Sequence, residues 1–486
     1  MRSIDLMLLS SLLVVSCTSS GDDSVSGDGD ADTDTDSDTD TDTDTDTDTT
    51  WTVNGLTAWL HPGMASMVHL QWEQSAPSNA HVEYSFDSDG DGASIWLSSP
   101  TEPATKGTNE RILVGIPFDT DVELRLVLEG KKTVDGPLVH TGSIEIVDEA
   151  YPLPLPTLVA YDATQAYAPG NYLMTSINSH SGGWRGGTYW TIVVDRQGRV
   201  VWARPTPDAH WTLYVTIDPL TRTHFLWDES TYWSDYDGGD GSVIHRAYLD
   251  EEIETIPTRG LHHEWIMLPD GTLVWGSQSG KDSSTEALVE LPPGATESNV
   301  IWTCAADWPG SGGCESNGLF YNSETDSYIY SFYTNSSVVE VDRKTGASLW
   351  WAGTVAGGYQ FDPASSKFAW QHGVSITSDG HLLLSTKKYA DSPKADQSTV
   401  VREYAIDHAT DTLSQVWHCD SGAYATTNGD AWRLPNGNTL HVVGSSGEIE
   451  EYLPDCTVVW HLDFGSNYLL GRGEFVEDLY TLLSPH

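Results

Sequence analysis

Basic residues are scarce in this 486-residue chain: 23 Lys and Arg stand against 71 Asp and Glu, a formal charge of −48. That imbalance excludes nucleic acid and anionic membrane surfaces as partners, because both require a positive face. Cysteine is sparse too. Five are present and no C-x-x-C spacing occurs, so the zinc modules built on that spacing are absent. No apolar run approaches the roughly 20 residues of a membrane-spanning helix. No stretch shows a convincing helical period.

What stands at the N-terminus reads as an export signal over residues 1–17. Leu6 to Val15 is a largely apolar h-region, and Val14-Val15-Ser16-Cys17 reads as a lipobox in which Cys17 is acylated and becomes the mature N-terminus. The competing reading is a cleaved secretory peptide with an incidental cysteine. Residues 18–50 carry thirteen Asp, no Lys or Arg, and almost no apolar side chain, so they cannot bury enough surface to fold. They read as a disordered Asp/Thr-rich tether with a reach of roughly 100 Å at full stretch; a calcium-collecting Asp ladder is the alternative. In an exported chain the other four cysteines read as two disulfides. Cys304–Cys314 and Cys419–Cys456 are the favoured pairs, with two other pairings open.

Residues 51–150 alternate polar and apolar side chains in short strands separated by turn signals, as in Glu123-Leu-Arg-Leu-Val-Leu128, and read as a small fibronectin-like β-sandwich. Within it, Asp87-Ser-Asp89-Gly-Asp91-Gly92 matches the start of a calcium loop but has Ser98 where the bidentate Glu belongs, so an acidic hairpin turn competes with it. Pro152, Pro154 and Pro156 then stiffen a connection.

Between Thr191 and Trp460 six hairpin-like segments recur, each a β-rich strand, an Asp/Asn/Gly turn and a strand that usually ends on Trp. They are residues 191–202, 242–256, 286–302, 338–351, 400–417 and 449–460, with starts 44 to 62 residues apart. Repetition at this period is the signature of a propeller, so the expected fold is all-β: a six-bladed β-propeller over residues 151–486 preceded by the sandwich. Most of the twenty Trp are then packing between blades.

A second periodicity lies inside the first. His210, His263, Glu315, His372 and Asp430 follow one another at steps of 53, 52, 57 and 58 residues, just where each blade's innermost strand should begin. In a propeller such residues face one another across the axial opening, which is how the fold assembles a site from distant sequence.

Several segments around these positions, LHHEWIMLPDGTLVW (261–275), SNGLFYNSETDSYIYSFYTNSSVVEVDRKTGASLWWAG (316–353), QHGVSITSDGHLLLS (371–385) and GDAWRLPNGNTLHVVGSSGEIEEYLPDCTVVWHL (429–462), resemble the bacterial arylsulfate sulfotransferases. The similarity covers about Tyr151 to Leu483. It implies transfer of a sulfuryl group from an aryl sulfate to a phenol through a sulfohistidine, without a cofactor. On this resemblance His372 is the nucleophile and His263, or its neighbour His262, the acid–base residue, with Asn317 a third catalytic member. Glu315, Tyr333 and His210 complete the substrate-binding set. The chain departs from the family pattern at two places: Glu315-Ser316-Asn317 stands where the family has His-x-Asn, and Tyr333 stands where it carries Arg. Both changes remove positive charge from the region where sulfuryl oxygens are expected. The partners implied are small phenols or aryl sulfates, and the location is the bacterial cell envelope, at the outer membrane, held by the Cys17 lipid. Two other classes compete. His263, Glu315 and His372 offer two imidazoles and a carboxylate to a divalent metal, and a non-catalytic ligand-binding propeller would use the same opening.

Overall fold

The computed structural model describes residues 51–485, apart from 88–93, 183, 185, 208, 209, 233–238, 311 and 391–396. The export signal, Cys17, the Asp/Thr tether and the calcium-like turn around Asp89 and Asp91 lie outside the described residues. The rest is built almost wholly of antiparallel sheet. A single α-helical turn, Cys304–Asp307, departs from the all-β expectation; Thr303 caps it by accepting from the Ala306 N–H. Among the described residues no helix is long and apolar enough to cross a membrane.

The first strands make two sheets. Val53–His61, Met64–Gln74 and Gly107–Leu113 form one, and Ser78–Asp87, Ser94–Ser98, Asp121–Leu128 and Lys132–Asp135 are the main strands of the other. One face of each is wet. In Asp121–Leu128 the even positions Val122, Leu124, Leu126 and Leu128 are buried and the odd ones more exposed, and the two sheets share one core with Leu70, Trp72 and Tyr84.

From Thr157 on, burial loses this alternation. Tyr189–Asp195 is buried at every position, which is the mark of a strand covered on both faces. In the strand Leu382–Lys387, Leu382 and Leu384 pack to one side with Trp350, while Leu383 packs to the other with Tyr452. Such sheets stack face to face, and six of them follow one another along the chain, each built on four antiparallel strands, with a parallel fifth strand, Gln360–Asp362, on the outer edge of the fifth. Their innermost strands are Glu474–Val476, Val215–Ile217, Leu261–Met267, Ser316–Asn322, His372–Ile376 and Asp430–Arg433.

Each neighbouring pair of sheets buries its own apolar cluster: Trp202 with Phe225 between the first and second, Leu226 with Trp275 between the second and third, and Trp302 with Phe332 between the third and fourth. Trp350 with Leu384 and Leu383 with Tyr452 continue the series, and Trp460 with Ile192 joins the sixth back to the first. The ring is therefore closed, and both chain ends close it. Glu474–Val476 from the C-terminal end completes the first sheet against Tyr172–Asn178, while Thr157–Tyr161 adds a fifth strand to the outer edge of the sixth. Buried Arg196 pins this seam, donating to Glu451 at 3.0 Å with its guanidinium over Phe475.

The recurring hairpins of the sequence are the third and fourth strands of each sheet, counted from the axis. All six carry one register shift at the same place, for example between Val193 and Val194 and between Glu451 and Tyr452, and bulges of this kind sharpen the local twist. The disulfides are Cys304–Cys314 and Cys419–Cys456, with Cα atoms 5.9 and 5.5 Å apart, a pairing that fits an exported protein.

Trp302 is fully buried, stacked on Phe332 at 5.5 Å and edge-on to Tyr330 at 5.8 Å. Trp302→Ala should therefore destabilise the ring by about 3–5 kcal/mol, measured as a lowered midpoint in chemical unfolding; a loss below about 1 kcal/mol would show that this interface does not carry the ring.

Candidate functional site

Because the six inner strands run the same way, their first residues gather at one mouth of the axis. Three of the strands are bulged against their neighbours at that end. The register shifts lie between Leu261 and Trp265, between Ser316 and Gly318, and between His372 and Ser375, which places His262, His263, Asn317 and His372 in or beside irregular backbone. Bulges re-aim side chains that regular pleating would send into the sheet faces. Gly373 follows His372 at φ +54°, and a Cβ there would lie 2.3 Å from Asp430 Oδ1, so the neighbouring inner strand is reached only through a glycine.

The hydrogen bonds of His372 define its protonation. Its Nδ1 lies 3.0 Å from the Trp370 carbonyl, which can only accept, so Nδ1 carries the proton. Its Nε2 receives the Asn428 N–H at 3.2 Å and therefore presents its lone pair. Burial depresses its pKa to about 4, so the ring is neutral at neutral pH. Its neighbours are aromatic: Tyr333 lies 6.1 Å from the His372 ring and 5.9 Å from that of Trp370. Lys387 sits over Trp370, 2.7 Å from the ring centre, with its pKa lowered to about 8 by burial.

On the third sheet His262 and His263 meet through their Nδ1 atoms, 2.6 Å apart. His262 Nε2 lies 2.9 Å from Glu286 Oε2, and both side chains are wholly buried. The other oxygen of Glu286 accepts from Ser316 Oγ at 2.8 Å and from the Tyr330 hydroxyl. Gly276 makes this packing feasible, since a Cβ there would lie 2.4 to 2.8 Å from Ser316 Oγ, Tyr330 OH and Glu286 Oε1. His263 is held well below its ordinary pKa by burial and by the neighbouring charges His262 and His372 would carry, which puts the two site imidazoles within electrostatic reach of each other. Glu315 is pushed up by burial, opposed by His262 and reinforced by Glu286, and Tyr333 is raised by burial and by Glu315.

Two candidates stand elsewhere. Asn317 was expected to act on substrate, but its amide donates to the Gln371 carbonyl at 2.6 Å and its oxygen accepts from Ser331 at 2.8 Å, both buried. It ties the fourth sheet to the residue ahead of His372, with both of its polar atoms engaged inside the protein. His210 is bound to Glu229 at 2.5 Å, and Glu229 also holds His245 at 2.8 Å, a cluster on the second sheet. The metal set His263, Glu315 and His372 does not converge either. Among the described residues the group whose ligand atoms lie within 4.8 Å of one another is Glu448, Glu450 and His461 in the sixth sheet.

Sequence reasoning missed Glu286, Trp370 and Lys387. Glu286 opens the third hairpin, but one acid at a strand start is not distinctive among 71; Trp370 and Lys387 lie off the once-per-blade period.

The class that these features define is a β-propeller. Residues 321–465, which run from the fourth sheet to the end of the sixth, match the family model described as arylsulfotransferase (ASST). No curated protein matches it. Similar solved structures include a protein of unknown function from Bacteroides caccae, with 13% identity, a TM-score of 0.39 and coverage of 62% of this chain and 99% of that one. A putative 6-phosphogluconolactonase from Bacteroides fragilis NCTC 9343 has 10% identity, a TM-score of 0.39 and coverage of 82% and 98%. The Cps50 (Swd1) β-propeller domain of Myceliophteria thermophila has 12% identity, a TM-score of 0.35 and coverage of 64% and 86%.

The depressed pKa of His372 has a thermodynamic consequence. Between pH 6.5 and about 4 the unfolded chain binds a proton at this position that the folded chain does not, so stability rises with pH across that window and is lost as pH falls through it. The contribution present above pH 6.5 is about 3 kcal/mol. Unfolding free energies of wild type and His372→Asn, measured from pH 7 to pH 4, should converge as the pH falls; parallel curves would refute a buried neutral imidazole.

Proposed function

We propose that this protein transfers a sulfuryl group from an aryl sulfate to a phenol by way of a sulfohistidine at His372. The observation that carries the reading is the tautomer of that ring: Nδ1–H is tied to the Trp370 carbonyl, Nε2 holds the lone pair, and burial keeps the ring neutral. In the first half-reaction Nε2 releases the Asn428 N–H and attacks sulfur, the S–O bond to the aryl group breaks, and the departing phenolate takes the proton that His263 acquired from the acceptor of the preceding turnover. In the second, His263 removes the proton of the acceptor phenol, whose oxygen attacks sulfur as the N–S bond breaks. Tyr333 and Trp370 offer faces for the aromatic rings. Lys387 and the Asn428 N–H supply what positive potential the mouth retains, since Glu315 and Tyr333 replace the imidazole and guanidinium of the family pattern.

The same reading takes residues 1–17 as a lipoprotein signal, Cys17 as the acylated anchor, residues 18–50 as the tether, 51–150 as the sandwich and 151–486 as the propeller. Cys17→Ser should release the protein from the membrane fraction, and continued membrane association would remove the anchor from the proposal.

The test of the chemistry is turnover of a chromogenic aryl sulfate with a phenol acceptor, together with mass-spectrometric detection of sulfated His372. His372→Ala should abolish both signals. Glu315→His combined with Tyr333→Arg should raise turnover by two to three powers of ten, the worth of a well-placed donor to developing charge. If neither wild type nor the double variant sulfates His372, the opening belongs to a binding protein.

A further inference from the structure

The sulfuryl reading assigns His263 a proton-transfer role but leaves open what makes a buried imidazole competent for it. The answer lies in a chain of three side chains behind the mouth. Glu286 approaches His262 Nε2 at 2.9 Å, and His262 Nδ1 approaches His263 Nδ1 at 2.6 Å. Two imidazole nitrogens at that distance share one proton, since two protonated nitrogens would clash and two bare ones would repel.

The end of the chain decides which nitrogen holds it. Glu286 accepts from Ser316 and Tyr330 on one oxygen and turns the other to His262 Nε2. A carboxylate only accepts, so His262 carries its proton on Nε2 and, when neutral, offers a lone pair at Nδ1. His263 must then donate from Nδ1. Its remaining nitrogen, Nε2, is the basic one.

We propose that Glu286, His262 and His263 form a proton relay, with His263 Nε2 as the group that exchanges a proton with the phenol and with His262 and Glu286 as positioning residues. The proposal rests on the sulfuryl-transfer reading above. When the acceptor is deprotonated, its O–H bond breaks and an N–H bond forms at His263 Nε2. The Nδ1 proton of His263 passes to Nδ1 of His262. The positive charge comes to rest on His262, against the Glu286 carboxylate and away from the mouth, and the stored proton returns by the reverse transfer to the phenolate that leaves the next donor molecule. The relay keeps the imidazolium off the ring that faces His372, where the mutual effect of the two imidazoles opposes charge. Among the described residues, the other ionisable groups facing the relay include Tyr232, whose ring lies 5.1 Å from that of His262, Tyr330, Glu315 and His372, with Lys281 acting on Glu315.

Two measurements test this. The first needs no activity: imidazole nitrogen–proton correlation spectra of the wild-type protein should show His263 as the Nδ1–H tautomer and His262 as the Nε2–H tautomer at neutral pH. The opposite assignment for either ring overturns the relay even if the enzyme sulfates His372. The second is kinetic. Glu286→Gln keeps the shape and removes the charge, and it should lower kcat/KM by about 10²- to 10³-fold for donors with strongly basic leaving phenols, the usual worth of general acid–base catalysis. For nitrophenyl sulfates, whose leaving group needs little help, the loss should be at least tenfold smaller, and the pH profile of kcat should shift. An equal loss with every donor and an unmoved profile would mean that Glu286 is merely structural. Absence of sulfated His372 in the wild type would instead defeat the sulfuryl reading, with the tautomer measurement still deciding the relay.

Discussion

Burial of both faces of every propeller sheet is the constraint on which the rest depends. A sheet such as the one holding Leu382, Leu383 and Leu384 has no face it can leave in water, so the first and last sheets of an open stack would each expose an apolar surface. Closing the stack into a ring removes both ends at once. The seam where the sixth sheet meets the first must then be held together, and the chain crosses it twice, between Asp463 and Glu474 and between Tyr161 and Tyr172. The chain meets this by giving the first sheet its innermost strand from the C-terminal end and the last sheet its outermost strand from the N-terminal side, with the Arg196–Glu451 pair buried across the join.

Ring closure also creates the mouth. Six inner strands of common direction bring residues more than fifty positions apart in the chain to one opening, but regular pleating would turn alternate side chains into the sheet faces. The bulges at Leu261–Trp265, Ser316–Gly318 and His372–Ser375 break that alternation where the chemistry sits. One such bulge adjoins His372, while another holds Asn317, whose amide is tied to the Gln371 carbonyl just ahead of His372.

Charge is the second theme of the site. In a chain of net charge −48, an anionic substrate must be met by groups that do not add to the field. Neutral imidazoles, backbone N–H groups and one lysine on an aromatic ring answer this without a cluster of fixed cations. Burial lowers the proton affinity of His372 and His263, which costs stability at acid pH and keeps both rings neutral at neutral pH.

The sequence alone determined the all-β class, the period of the hairpins and the positions of His262, His263 and His372, because these depend on local patterns: strand propensity, turn residues and a once-per-blade repeat. It also carried the family resemblance, which rests on contiguous motifs such as residues 429–462. Both disulfides were legible for a similar reason, since exported cysteines have few partners to choose from. What only the tertiary structure decided is which atoms meet. Glu286 is 24 residues from His262 and Ser316 a further 30 from Glu286, on different strands, and no local pattern distinguishes this buried acid from the other acidic residues. His210 shares the spacing of the other ring members yet is drawn to Glu229, because periodicity sets where a residue stands along a strand, while the direction and partner of its side chain follow from bulges and neighbouring sheets that exist only once the ring has closed.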